Sequence, residues 1–289
     1  PMVTRNIIKN RNVVDQFEMI SKNISERGLV LLGCGKMGTA LLSGWLEQGM
    51  DPKFVWILDP KPSEWVLSVG VRVNEMLTDD PAIVLVAVKP QMMGEALPRL
   101  QRFGSTATLF ISVAAGTSIS AFEDVLGRST PVVRAMPNTP AAIGQGITAL
   151  IGNDRATDKD LAEAQNLMAA VGQTILLHNE GQLDAVTGVS GSGPAYVFHM
   201  IETLAEAGIK QGLPAVMAMQ LAQATVAGAG ALAVQSDDSA EQLRINVTSP
   251  NGTTQAALEI LMHEKTGLQS LMTRAVKAAT KRSQDLSNG

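Results

Sequence analysis

Leu29-Val30-Leu31-Leu32-Gly33-Cys34-Gly35-Lys36-Met37-Gly38-Thr39-Ala40-Leu41-Leu42 decides the fold. Four apolar residues run directly into three glycines at the GxGxxG spacing, and a helix-forming run follows. The pattern predicts a buried strand, a tight turn and a helix start. The three glycines then play three different roles. Gly33 makes the turn, Gly35 lets a pyrophosphate approach the backbone, and Gly38 permits close strand–helix packing. The exposed amides at the helix N-terminus would hold the phosphates, which makes Cys34, Lys36 and Met37, with the three glycines, cofactor-binding candidates. The next apolar run, Val55-Trp56-Ile57-Leu58, ends in Asp59, about 20 residues beyond Gly38, where a ribose-binding carboxylate is expected. A glycine turn without a ligand is the competing reading. The flanking strand, helix and carboxylate favour a dinucleotide site.

Outward from this stretch, strands and helices alternate. Strands are predicted at Val55–Leu58, Val71–Val73, Ile83–Val88, Thr108–Val113, Pro131–Met136, Ile147–Ile151 and Thr174–Leu177. Helices are predicted from Lys89-Pro90 through Leu100 and over Asp158–Val171. Uncharged β-branched runs between helical segments mark a parallel sheet covered on both faces. In such a sheet ligands sit beyond the carboxyl ends of the strands. That rule nominates Asp59 and Lys61, then Ala87-Val88-Lys89-Pro90, Ala114, Met136 and Asn138 as cofactor-binding positions. Taken singly, each is equally well an ordinary strand-to-helix turn.

Past Glu180 no strand is predicted. Helical runs rich in alanine, leucine and methionine are broken at Gly191-Ser192-Gly193-Pro194, Gly212-Leu213-Pro214 and Ser249-Pro250-Asn251-Gly252. The chain therefore divides into an N-terminal extension (residues 1–28), a Rossmann-type α/β domain with a mainly parallel sheet (29–180) and an all-helical domain (181–289). In the extension, Val13, Val14, Phe17, Ile20 and Ile24 recur at helical spacing and predict a short amphipathic helix without a signal-peptide apolar core. From Gln211 to Ser236 there is no charged residue, long enough to cross a bilayer. Its glutamines would be poorly satisfied in lipid, so a helix sandwiched in a homodimer is the expectation.

Composition narrows the classes further. With 289 residues, 45% hydrophobic, the chain can bury two cores. A net charge of −4 and 3% aromatics argue against nucleic acid as a partner. The single cysteine, Cys34, has no partner for an internal disulfide, which suits a reducing cytoplasm. No His/Cys cluster has metal spacing. The three histidines, His178, His199 and His263, offer no Ser-His-Asp set. Between Asn179 and Ile209 there is no lysine or arginine, whereas a β-hydroxyacid dehydrogenase of this architecture would carry a catalytic lysine there.

Two helical-domain loops stand before helices: Val189–Tyr196 carries two serines and two glycines, and Thr248–Thr254 carries hydroxyls on both sides of Asn251-Gly252. Both could bind a carboxylate through helix N-terminal amides, or could be plain N-caps. With Ala87-Val88-Lys89-Pro90, Arg134-Ala135-Met136-Pro137-Asn138-Thr139-Pro140 and Val247-Thr248-Ser249-Pro250-Asn251-Gly252-Thr253-Thr254, the chain from about Val30 to Leu286 resembles the pyrroline-5-carboxylate reductase family. One departure is Asn251, where the family usually has glycine. Asparagine tolerates a left-handed backbone, so the loop's shape is expected to survive.

The resemblance implies NAD(P)H-dependent reduction of a cyclic imine to proline, with a helical domain that interlocks with its twin. Dimers could assemble further, and sites could form from two chains. By the same resemblance Thr254 is the catalytic hydroxyl at the ring nitrogen, Ser249, Asn251, Gly252 and Thr253 cradle the substrate carboxylate with Thr254, and Asp237 lies near the substrate. A carboxylate at Asp59 favours the ribose diol of NAD, while Lys61 and the family's frequent use of NADP point the other way, so dual use is expected. The remaining alternatives are reduction of another cyclic imine, a β-hydroxyacid dehydrogenase relative, and a non-catalytic NAD(P)-binding protein.

Overall fold

The computed structural model describes residues 22–287. The chain forms two compact units: one runs to Gly191 and takes back the chain from Thr280, and the other is Ser192–Ala279. Of the helix predicted in the extension, residues 22–27 are helical and Ile24 is buried in the core. Val13, Val14, Phe17 and Ile20 lie outside the described residues.

The first unit holds an eight-stranded sheet in the order β3-β2-β1-β4-β5-β6-β7-β8. Its strands are β1 (Leu29–Leu32), β2 (Val55–Leu58), β3 (Arg72–Val73), β4 (Ile83–Val86), β5 (Leu109–Ser112), β6 (Val132–Met136), β7 (Gly146–Gly152) and β8 (Gly172–Leu176). Strands β1, β4 and β5 are buried at every residue. Alternate side chains feed two different cores, as the period of two requires. Leu29, Leu31, Ile83, Leu85 and Ile111 pack with Leu41, Trp45 and Leu167 on one face. Val30, Leu32, Val84, Val86 and Phe110 pack with Phe103 and Phe122 on the other. Uncharged strands are the result: neither face meets water.

Every neighbouring pair is parallel except β6–β7, which is antiparallel. The connection from Met136 to Gly146 explains this. A parallel crossover needs a dozen or more residues, and the short turn Thr139–Ile143, closed by left-handed Gly144 (φ 68°), reverses the chain instead. β8 then lies against β7 so closely that a Cβ on Gly172 would stand 1.9 Å from the Gly146 carbonyl oxygen.

The helix predicted after Lys89-Pro90 is broken into three short pieces. Pro90–Met92 and Leu97–Phe103 are 3-10 turns, and only Met93–Ala96 is α-helical. Pro98 accounts for the second break, because it has no N–H for the helical ladder and its ring crowds the preceding turn. Elsewhere the predicted and observed bounds differ by one or two residues.

The second unit is all helical. Gly193–Lys210 and Ala215–Gln235 are joined by a short turn and pack through small residues, with Ala205, Ala218 and Ala222 buried between them. Ala240–Asn246 and Thr253–Leu261 follow, and the last helix, Leu268–Ser287, leaves the unit at Ala279. Ala215–Gln235 is long and apolar enough to cross a membrane by length and composition, yet only 11% of its apolar window is buried within this chain. Val216, Met217, Leu221, Leu232 and Val234 all face outward.

Candidate functional site

Leu58, Leu32, Val86 and Ser112 end their strands side by side, opposite Arg134 of β6, which runs on to Met136. Gly33 N–H donates to the Leu58 carbonyl (2.8 Å) and Ala87 N–H to the Leu32 carbonyl (2.8 Å), so the ladder continues one residue past the strands. The glycine turn opens from this edge, and its three glycines have three different environments. Gly33 has φ 85°, and a Cβ there would meet Val88 Cγ1 at 2.9 Å. A Cβ on Gly38 would stand 2.7 Å from the Gly33 carbonyl oxygen, inside contact distance. A Cβ on Gly35 would touch nothing within 4 Å. Gly35 also starts the helix Lys36–Glu47 with no side-chain cap. A helix N-terminus left uncapped beside open space suits a dinucleotide's phosphates.

Asp59 is held from every side. Its carboxylate accepts the Cys34 N–H at 2.7 Å and the Lys61 N–H at 2.8 Å. Its main chain is clamped by one side chain: Asn74 Nδ2 donates to the Asp59 carbonyl (2.7 Å), and Asp59 N–H donates to Asn74 Oδ1 (3.1 Å). Asn74 itself is left-handed (φ 54°), and its N–H donates to the Ile57 carbonyl (2.8 Å). A cavity of about 420 Å³ opens at the point where the strand order turns back on itself. Leu32, Asp59, Asn74, Val88, Glu95 and Arg99 are among its lining residues. Asn74, Glu95 and Arg99 belong to none of the sequence motifs. The signal available for Asn74 is an asparagine directly after a strand end, a residue type suited to positive φ.

The Cys34 side chain is buried beneath the turn. Burial pushes its thiol above the ordinary cysteine range, and the nearby Asp59 carboxylate adds to this, against a lowering by the Thr39 hydroxyl. A thiol held neutral is a packing group and not a nucleophile. Lys36, Lys61 and Lys89 are exposed, and Met37, Ala87 and Val88 are half-buried. Pro90 starts its 3-10 turn. Ala114 is buried, its N–H donating to Ser112 Oγ (3.2 Å).

The end of β6 is tied to the following loops. Asn138 Nδ2 donates to the Ser190 carbonyl (3.2 Å), and its Oδ1 accepts the Ile147 N–H (2.9 Å). A Cβ on Gly191 would stand 2.7 Å from Met136 Cε, the movable end of that side chain. Arg134 pairs with Glu180, which also accepts the Ile119 N–H at 2.8 Å.

Ser249–Thr254 belongs to the second unit. Asn251 is left-handed (φ 56°), which is the conformation expected for a residue standing in for glycine. Its N–H donates to Gln255 Oε1 (2.7 Å), and Gly252 N–H donates to the Ser249 carbonyl (3.1 Å). Gly252 starts the helix Thr253–Leu261 without a side-chain cap, and a Cβ there would collide with Ser249 Oγ at 2.3 Å. The turn thus presents Ser249, Thr253 and half-buried Thr254 at a helix N-terminus. Asp237 is exposed in the turn before Ala240–Asn246. No cluster of histidine, cysteine, aspartate or glutamate fit for a metal occurs among the described residues.

Comparison with known proteins agrees in both halves. Residues 180–286 match the pyrroline-5-carboxylate reductase dimerisation family, and residues 28–116 match the NADP oxidoreductase, coenzyme F420-dependent family. The pyrroline-5-carboxylate reductase of Pseudomonas aeruginosa is 36% identical over 264 residues, covering 89% of this chain and 96% of that one. The Synechocystis protein of the same name is 38% identical over 265 residues, covering 89% and 97%. Among solved structures, the Coxiella burnetii pyrroline-5-carboxylate reductase aligns with a TM-score of 0.85 at 32% identity, over 90% of this chain and 98% of that one. The Plasmodium falciparum enzyme with NADP bound aligns with a TM-score of 0.78 at 28% identity, covering 90% and 98%.

Proposed function

The chain belongs to the pyrroline-5-carboxylate reductase family, and from that membership we propose how its residues divide the work. The protein is an NAD(P)H-dependent oxidoreductase that reduces 1-pyrroline-5-carboxylate to L-proline. The observation that carries this reading is identity above 30% over nearly the whole length of the relatives.

The residues present fit the dinucleotide: an uncapped helix start, an open face at Gly35 and a cavity at the switch point. The reduced nicotinamide, when bound, supplies the hydride. At the turn the phosphates lie against the open face of Gly35 and the amides of Lys36 and Met37, Gly33 and Gly38 fix its shape, Cys34 donates its N–H to Asp59, and Asp59 with Lys61 holds the adenosine ribose. Ala87, Val88, Lys89, Pro90, Ala114, Met136 and Asn138 shape the remainder of the groove. Asn138 does so through the Ser190 loop that its side chain anchors.

Ser249, Asn251, Gly252 and Thr253 receive the substrate carboxylate at the start of the helix Thr253–Leu261, where the dipole and amides favour an anion. Asp237 lies near the substrate. The Thr254 hydroxyl donates to or orients the ring nitrogen. A protonated C=N is already electrophilic, so orientation supplies most of the catalysis. This agrees with the absence of lysine and arginine between Asn179 and Ile209.

We take residues 1–28 as an extension, 29–180 as the dinucleotide domain and 181–289 as the helical domain. Self-association is a property of the matched dimerisation family. A homodimer through the helical domain, open to further assembly, is supported by the bare apolar surface of Ala215–Gln235. A cytoplasmic location is supported by the lone cysteine. The reaction is tested by following loss of reduced nicotinamide absorbance with pyrroline-5-carboxylate and detecting proline. No consumption with either coenzyme would overturn it. Light scattering tests the dimer, and a stable monomer in detergent-free buffer would refute it.

A further inference from the structure

We propose that this enzyme selects NADH over NADPH, with Asp59 as the discriminating residue and Asn74 as the residue that positions it. The proposal rests on the reductase reading above and narrows its coenzyme.

The two coenzymes differ by one phosphate on the adenosine ribose. A site for that phosphate needs donors and positive charge, whereas a ribose diol needs an acceptor that takes two hydroxyl protons. At the end of β2 the structure supplies an acceptor. The Asp59 carboxylate has one N–H bond on each oxygen, from Cys34 and from Lys61, and each oxygen keeps a further lone pair. Those two amides are the main-chain donors that reach this carboxylate. They are already bonded to the carboxylate. A phosphate arriving here would meet a fixed negative charge and find the nearest main-chain donors taken.

A mobile aspartate could swing aside to admit the phosphate. This one is restrained. β2 and β3 pair only through Trp56–Arg72 and Ile57–Val73. At the next position β3 has turned away, and the Asn74 carboxamide takes over the pairing by bonding both the N–H and the C=O of Asp59. The left-handed backbone of Asn74 aims its side chain back along β2. Removing the carboxamide frees the Asp59 main chain while leaving the carboxylate's charge in place.

Charge of both signs surrounds the site, with Lys61 beside it and Arg99 and Glu95 on the cavity wall. Arg99 has Glu95 one helical turn before it on the same wall, and Lys61 lies two residues beyond Asp59 in the chain.

The test is direct binding of NADH and of NADPH by nicotinamide fluorescence without substrate, together with kcat/KM for each. Wild type should bind NADH at least tenfold more tightly than NADPH. Asp59→Ser should lose that preference, mainly by weakening NADH. Asn74→Ala should raise KM for NADH several-fold, more than it changes kcat, and shrink the preference. Asn74→Asp keeps the acceptor but not the donor and should fall between. Equal or tighter binding of NADPH by wild type overturns the proposal. So does an Asn74→Ala protein that loses kcat equally with both coenzymes, because that marks general damage. Coenzyme binding in the expected order without imine reduction would instead refute the reductase reading and leave the coenzyme selection standing.

Discussion

Arg134 in the middle of β6 and Glu180 after β8 form an ion pair, and the same carboxylate oxygen of Glu180 accepts the Ile119 N–H. The Arg134 side chain is 12% exposed and that of Glu180 33%. Three separate elements therefore share one partly buried carboxylate. Glu180→Ala should destabilise the chain by about 2–3 kcal/mol, since it strands a mostly buried guanidinium. Glu180→Gln keeps an acceptor for Ile119 and should lose less. Urea unfolding compares them, and midpoints equal to wild type in both variants would remove the pair from the stability of this corner.

Gly35 and Gly38 separate binding from folding. With nothing within 4 Å of a new Cβ, Gly35→Ala should leave the melting temperature nearly unchanged and weaken coenzyme binding about tenfold or more. Gly38→Ala pushes a methyl to within 2.7 Å of the Gly33 carbonyl and should lower both stability and binding. Calorimetry with a fluorescence titration resolves the two. A large stability loss in Gly35→Ala would contradict the open face.

Thr254→Ala should lower kcat/KM about 10–100-fold, the loss of one charge-linked hydrogen bond of about 1.5–3 kcal/mol. Thr254→Ser retains the hydroxyl and should recover most of it. Steady-state kinetics with pyrroline-5-carboxylate decides, and an unaltered alanine variant would take Thr254 out of the mechanism.

Glu163 carries a pH dependence. Burial raises its carboxyl above the ordinary glutamate value of 4.5, Asp160 adding to the effect and Lys159, Asn23 and Arg27 opposing it. The folded chain therefore binds this proton more tightly than the unfolded one. The resulting stability is complete below the ordinary value and is lost as pH rises through the raised one. Glu163→Gln abolishes that titration. Its melting temperature relative to wild type should climb between about pH 4 and pH 7. A difference constant across that range would contradict the shift.

The glycine turn, the carboxyl-edge residues and the helical second half are legible because each leaves a local mark: three glycines at fixed spacing, apolar runs ending in polar turns, alanine-rich periodicity. What escapes depends on contacts between distant positions. The reversal of β7 follows from a loop too short for a crossover, which becomes visible only once β6 and β7 are known to be neighbours. Pro98 stands in plain view, yet the apolar pattern around it favours an unbroken helix. Asn74 looks like a strand end, and its clamp on Asp59 spans 15 residues. Asn251 is the opposite case, since a single residue type foretells its positive φ.

Ala215–Gln235 makes maturation a matter of numbers. If its outward leucines and valines find shelter only against a twin, the last stage of assembly is a collision, and its pace follows the square of the chain concentration. Dilution would then expose a sticky intermediate for longer, and chaperones would meet it there.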